Sequence, residues 1–133
     1  MITGLAHACY TASDLDASID FYCNKLGLKK AFDFINDRGE RFGVYIHVGG
    51  RSFIELFVGE VTASGEGTPY RHICLEVDDI NTTVDHLRKQ GLDVTDPKMG
   101  SDGSWQAWLA DPDDNRIELH HYTERSRQRP HLQ

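Results

Sequence analysis

A chain of 133 residues has the size of one ordinary domain and leaves no room for two. Its 21 acidic and 14 basic residues give a net charge of −7, which removes electrostatic support for gripping phosphate backbones or anionic lipid and argues against nucleic-acid and membrane partners. No apolar run approaches the roughly 18 residues of a bilayer span, the first residues lack the layout of a leader, and Cys9, Cys23 and Cys74 are odd in number without a CxxC spacing, so the expectation is a soluble, cytoplasmic protein.

In chain order, residues 5–10 alternate as a short strand. A helix follows, with Ser13 or Asp14 as its N-cap acceptor, Leu15, Ile19, Tyr22, Cys23 and Leu26 along one face, and Gly27 as a left-handed stop. Strand-like segments come next around 28–35, 43–48 and 52–58, separated by turns at 36–39 and at Gly49-Gly50. Residues 64–69 are rich in Gly, Thr and Pro and have linker chemistry. The pattern then restarts with a strand over 71–77 and a helix capped by Asp78 or Asp79. That helix buries Ile80, Val84 and Leu87, Gly91 stops it, and strands follow around 92–96, 104–109 and 116–121. The acidic turn at 111–115 lacks the spacing of a calcium loop and reads as a turn only. Residues 123–133 are polar and basic without periodicity, which predicts a mobile tail.

The restart is a repeat. At an offset of 65, His7 falls on His72, Cys9 on Cys74, Asp14 on Asp79, Leu15 on Ile80, Ile19 on Val84 and Asp20 on Asp85; at 63, Ile54-Glu55-Leu56 falls on Ile117-Glu118-Leu119. The fold class expected is therefore α+β, with two pseudo-symmetric βαβββ modules over about 3–60 and 68–122. A single domain would end near residue 122, with the tail beyond it.

His7, Glu55, His72 and Glu118 are polar where strands should be apolar. In Phe53-Ile54-Glu55-Leu56-Phe57, alternation puts the carboxylate opposite Ile54 and Leu56, and in Ile117-Glu118-Leu119-His120 it puts Glu118 and His120 opposite Ile117 and Leu119. A carboxylate in a strand is costly unless paired, hydrogen-bonded or bound to a cation. Two repeat-related His and Glu pairs point to one divalent transition metal, because imidazole nitrogen and carboxylate oxygen together suit zinc, nickel, cobalt, manganese or iron.

Asp14-Leu15, Ser18-Ile19-Asp20-Phe21-Tyr22 and Leu26-Gly27-Leu28 in the first module, with Asp111-Pro112-Asp113 and Asn115-Arg116-Ile117-Glu118 in the second, resemble the vicinal oxygen chelate superfamily over nearly the whole chain to about Tyr122. That resemblance implies that the two modules form a curved mixed sheet, a partial barrel with its helices outside, with metal ligands from the first and last strands of each module, and a homodimer with its site within one chain or across two. A His, Glu, His, Glu set is similar to glyoxalase I-type members. It implies a lactoylglutathione lyase type of reaction, in which a thiol hemithioacetal of a 2-oxoaldehyde is isomerised through a metal-stabilised enediolate. Glu118 would then be the proton shuttle and Glu55 its counterpart. Thr11 and Gly59 stand where glyoxalase I commonly has an arginine and an asparagine that hold glutathione, so the low-molecular-weight thiol stays open. Other metal chemistry of the family, as epimerase or extradiol dioxygenase, and a metal-free small-molecule binding or resistance protein are the alternatives.

The remaining tempting residues have plainer readings. Cys9 and Cys74 are expected as small buried packing residues. Trp105 and Trp108, three apart in a strand, should face opposite ways, one of them lining a cavity or packing at an interface. His120-His121 is no metal pair, because adjacent strand residues point to opposite faces.

Overall fold

A computed structural model of the chain describes residues 1–62 and 67–132. Residues 64–66 of the expected linker lie outside the described residues. The chain divides into two compact units, Met1–Ser64 and Gly65–Gln133. Each is a βαβββ unit of α+β class around its own four-stranded mixed sheet.

The first unit contains β1 (His7–Ala12), α1 (Leu15–Ile19), a π-helical turn (Asp20–Lys25), β2 (Lys29–Ile35), β3 (Arg41–Gly49) and β4 (Ser52–Val58). Its strand order is β1-β4-β3-β2, with β1 parallel to β4 and the other pairs antiparallel. Asp14 is the N-cap, its Oδ1 accepting from the Ala17 N–H at 3.0 Å. The Leu26 N–H then donates to the Phe21 carbonyl at 2.9 Å, a five-residue span that widens the helix by one residue. That extra residue explains a departure from the expected face. Phe21 and Tyr22 are both buried and Ser18 is buried in place of Ile19, which is only half-buried with Cys23 and Leu26. Gly27, at φ +77°, ends the turn as expected. Val44, Ile46, Ile54 and Leu56 form the buried side of the sheet, against which α1 packs.

The second unit contains β5 (Ile73–Glu76), α2 (Ile80–Lys89), β6 (Lys98–Met99), β7 (Trp105–Ala110) and β8 (Arg116–His121), in the order β5-β8-β7-β6. Asp79 caps α2 through the Thr82 N–H at 2.7 Å, Ile80, Val84 and Leu87 are buried, and Gly91 sits at φ +82°. Arg116 begins β8 after a turn in which Asp111 Oδ1 accepts from the Asp113 and Asn115 N–H groups, both at 2.9 Å.

Two expectations change here. The segment 92–96 is not a strand. Arg88 donates to the Val94 carbonyl, the Thr95 hydroxyl accepts from the Trp108 N–H at 2.9 Å, and Pro97 has no N–H, so the ladder forms only at Lys98–Met99. Nor does the chain run free after β8. Thr123 Oγ1 donates to the Gly103 carbonyl at 2.6 Å, Ser126 is buried with its hydroxyl 2.7 Å from that of Ser104, and Gln128 Nε2 donates to Asp102 Oδ2 at 2.6 Å. Hydroxyl and amide groups, invisible to a hydrophobic pattern, pin this segment to the turn before β7.

Candidate functional site

In the first unit, the parallel pairing sets Cys9 opposite Glu55, and the antiparallel one sets Tyr45 opposite Glu55 from the other side. His7 lies at the start of β1, its Nε2 3.7 Å from Glu55 Oε1 and its Nδ1 3.0 Å from the Tyr45 hydroxyl. That hydroxyl fixes the ring and leaves Nε2 toward the carboxylate, the arrangement by which ligating imidazoles are oriented. Around the pair stand aromatic rings of the same sheet face: Phe32 and Phe53 stack on either side of Tyr45 at centroid distances of 4.9 and 4.8 Å.

The second unit repeats the frame with different partners. Cys74 and Trp108 flank Glu118 in the ladder. His72 Nε2 is 3.1 Å from Glu118 Oε2, and the His72 ring meets Trp108 edge-on at 4.9 Å. Arg116 lies over the other ring system of this pair, its guanidinium 4.5 Å from the Trp108 centroid. The second carboxylate oxygen, Glu118 Oε1, is 3.1 Å from His120 Nδ1.

Both carboxylates are shielded, with side-chain exposures of 16% for Glu55 and 12% for Glu118, while His7 and His72 are open at 40% and 36%. Among the described residues neither carboxylate has an Arg or Lys within ion-pair distance; imidazoles are their only basic partners. A shielded carboxylate without a fixed cation is the electrostatic situation that a bound divalent ion relieves. One donor atom each from Cys74, Glu118 and His120 also lie within 4.8 Å of one another. Nitrogen, oxygen and sulfur donors at this spacing fit a divalent transition metal.

The two thiols correct the expectation of buried packing. Cys9 and Cys74 are exposed residues, each set against a carboxylate. Shielding of the sulfur, with the charge and hydrogen bonding of Glu118 added to it, pushes the Cys74 thiol up to about 12, and Cys9 is raised in the same way beside Glu55. His121 points to the opposite face, where its Nδ1 accepts from the Ile80 N–H at 3.3 Å, but His120 belongs with the site face. Its position two residues after Glu118 was the available signal. Tyr45 carried none beyond strand alternation.

The family described as Glyoxalase/Bleomycin resistance protein/Dioxygenase superfamily matches residues 4–119. The chain is 34% identical over 121 residues to a "Probable lactoylglutathione lyase" of Synechocystis sp., covering 86% of this chain and 92% of that protein. Among solved structures it is similar to a superfamily member from Sphaerobacter thermophilus, at 30% identity and a TM-score of 0.74 over 91% of this chain and 98% of the other. It shares its fold with TnmS3, an antibiotic binding protein from Streptomyces sp., at 24% identity and a TM-score of 0.76 over 92% and 98% of the two chains. With a family match across both βαβββ units, the chain belongs to the glyoxalase/bleomycin resistance protein/dioxygenase superfamily.

Proposed function

We propose that the chain is a metal-dependent lyase or isomerase of glyoxalase type, acting on the hemithioacetal of a 2-oxoaldehyde or on a similar substrate with two adjacent oxygens. The observation that carries this reading is the pairing of an open imidazole with a shielded carboxylate in each of the two units. The kinship with proteins named lactoylglutathione lyase supports the reaction class. The donor complement is His7 and Glu55 with His72 and Glu118, contributed by one chain or by two chains of a homodimer in the cytoplasm.

A zinc, nickel, cobalt, manganese or iron ion bound by these donors supplies Lewis acidity toward the adjacent oxygens of the substrate. The chain's own carboxylates handle the proton. Glu118 takes it from the carbon bearing sulfur and returns it to the neighbouring carbonyl carbon, while the hydroxyl proton passes to the former carbonyl oxygen, so that a 2-hydroxyacyl thioester forms with no atom gained or lost. Glu55 is the counterpart on the other side, and Tyr45 keeps His7 in register with it. Thr11 and Gly59 adjoin each other closely enough that a Cβ on Gly59 would stand 2.9 Å from Thr11 Cγ2. Two neutral residues there favour a thiol that does not depend on a carboxylate handle.

The test is metal content per chain by elemental mass spectrometry, on protein purified without chelator and after reconstitution, followed by assay on methylglyoxal hemithioacetals of glutathione and of neutral thiols. About one ion per chain, lost in a Glu55→Gln, His72→Ala double variant, supports the reading; no specific metal in either preparation overturns it. A second reading, metal-free binding of a small molecule, is favoured by the stacked rings of Phe32, Tyr45 and Phe53. It predicts binding of planar apolar compounds unaffected by chelator.

A further inference from the structure

We infer that His120 is a positioning residue for Glu118, holding one carboxylate oxygen so that only the other faces His72. It rests on the reading above only in treating Glu118 as a metal donor. His120 is 6% exposed, a polar ring buried on the same strand face as Glu118, and its Nδ1 lies 3.1 Å from Oε1. A carboxylate oxygen accepts, so Nδ1 carries the hydrogen. Glu118 Oε2 is the oxygen turned to His72, 3.1 Å from its Nε2. A free carboxylate offers both oxygens; this one has been committed to offering one.

The ring is backed in turn. His120 Nε2 is buried without a hydrogen bond, and Asp102 Oδ2 lies 3.7 Å from it. Asp102 is itself fixed by Gln128 Nε2 at 2.6 Å and by the Ser104 N–H at 3.1 Å. The segment after β8 thus packs beside the unbonded edge of the ring, where Nε2, bare in this tautomer, makes no hydrogen bond to Asp102.

The repeat sharpens the point. At the offset of 63 that relates Glu55 to Glu118, His120 corresponds to Phe57 and Trp108 to Tyr45. In the first unit the imidazole has the extra hydrogen-bonding partner, Tyr45 on His7; in the second it is the carboxylate, His120 on Glu118. The two pairs are related by topology and made unequal by these substitutions, with the extra partner falling on the carboxylate that moves the proton and not on its counterpart.

Two measurements test this. In metal-free protein, nitrogen-15 NMR of the His120 ring is expected to show the hydrogen on Nδ1; a ring with Nδ1 bare and Nε2 protonated overturns the inference. Cobalt(II) affinity and its visible spectrum are then compared in His120→Leu, which fills the space without a donor, and His120→Asn, whose amide reaches the same oxygen. His120→Leu is expected to weaken cobalt 10- to 100-fold and alter the spectrum, with His120→Asn within about threefold of the parent. Equal affinity and spectrum in His120→Leu overturns it. Failure of the unmutated protein to bind cobalt would refute the metal reading instead, and the NMR result would still decide whether His120 holds Glu118.

Discussion

Glu118 touches His72 with one oxygen and His120 with the other, and it faces Cys74 and Trp108 across the ladder. Glu118→Gln keeps the shape and the hydrogen-bond acceptor and removes the base. Turnover per bound metal should fall by about 10²–10⁴ with the fold intact, measured as kcat on the productive hemithioacetal at a metal concentration that saturates the variant; full activity with metal bound would assign the proton to another group. Tyr45→Phe is gentler, because the ring still stacks between Phe32 and Phe53 while His7 loses its hydroxyl partner. Metal affinity should drop about tenfold with the thermal midpoint nearly unchanged, by chelator competition and calorimetry. Glu55, Glu118 and His7 were legible because a polar group on an alternating strand stands out, whereas His72, expected within a strand, lies just before β5. The setting of the cysteines was not, since a small sulfur residue fits a core or a rim equally well, and only the pairing of Cys9 with Glu55 and of Cys74 with Glu118 decides it.

The helix ends carry their own tests. Removing the α1 cap by Asp14→Ala leaves the Ala17 N–H without its acceptor and should cost about 1 kcal/mol in urea unfolding. For α2, hydrogen bonds from Thr82 hold the Asp79 carboxyl below its ordinary 3.8. A lowered folded-state value means the stabilisation is present above 3.8 and is lost as pH falls through the lowered value. The gap in unfolding midpoint between the parent and Asp79→Ala should thus be constant at neutral pH and close in acid; a gap that widens in acid would contradict the sign. Caps and glycine stops were readable because an Asp before an apolar-periodic run has one physical use. The π-helical turn was not: Phe21 and Tyr22 are adjacent, and only the Leu26 to Phe21 hydrogen bond lets both reach the core. The absent strand over 92–96 failed for a related reason, since Arg88 and Thr95 spend side-chain groups on positions a ladder would use. At the turn before β7, Gly103 sits at φ +81° with the Arg125 carbonyl oxygen where a Cβ would go. Gly103→Ala should loosen residues 123–128 and raise their amide exchange, leaving α2 protected.

At the scale of the molecule, each unit holds one open imidazole beside one shielded carboxylate, and the proposed donor set takes both pairs. The proposed ion would take donors from both pairs, so its binding would be lost with either. Free metal at 100 times its dissociation constant contributes about 2.7 kcal/mol to the folded state, which for a chain of this length raises the thermal midpoint by about 10 °C. Calorimetry should show that rise when metal is added to chelator-treated protein. It should vanish in Glu55→Gln, whose altered group lies in the first unit, and equally in Glu118→Gln, whose altered group lies in the second. If Glu118→Gln lost the stabilisation and Glu55→Gln kept it, the ion would belong to the second unit, and the Cys74, Glu118 and His120 donors, which need nothing from the first unit, would become the place to look.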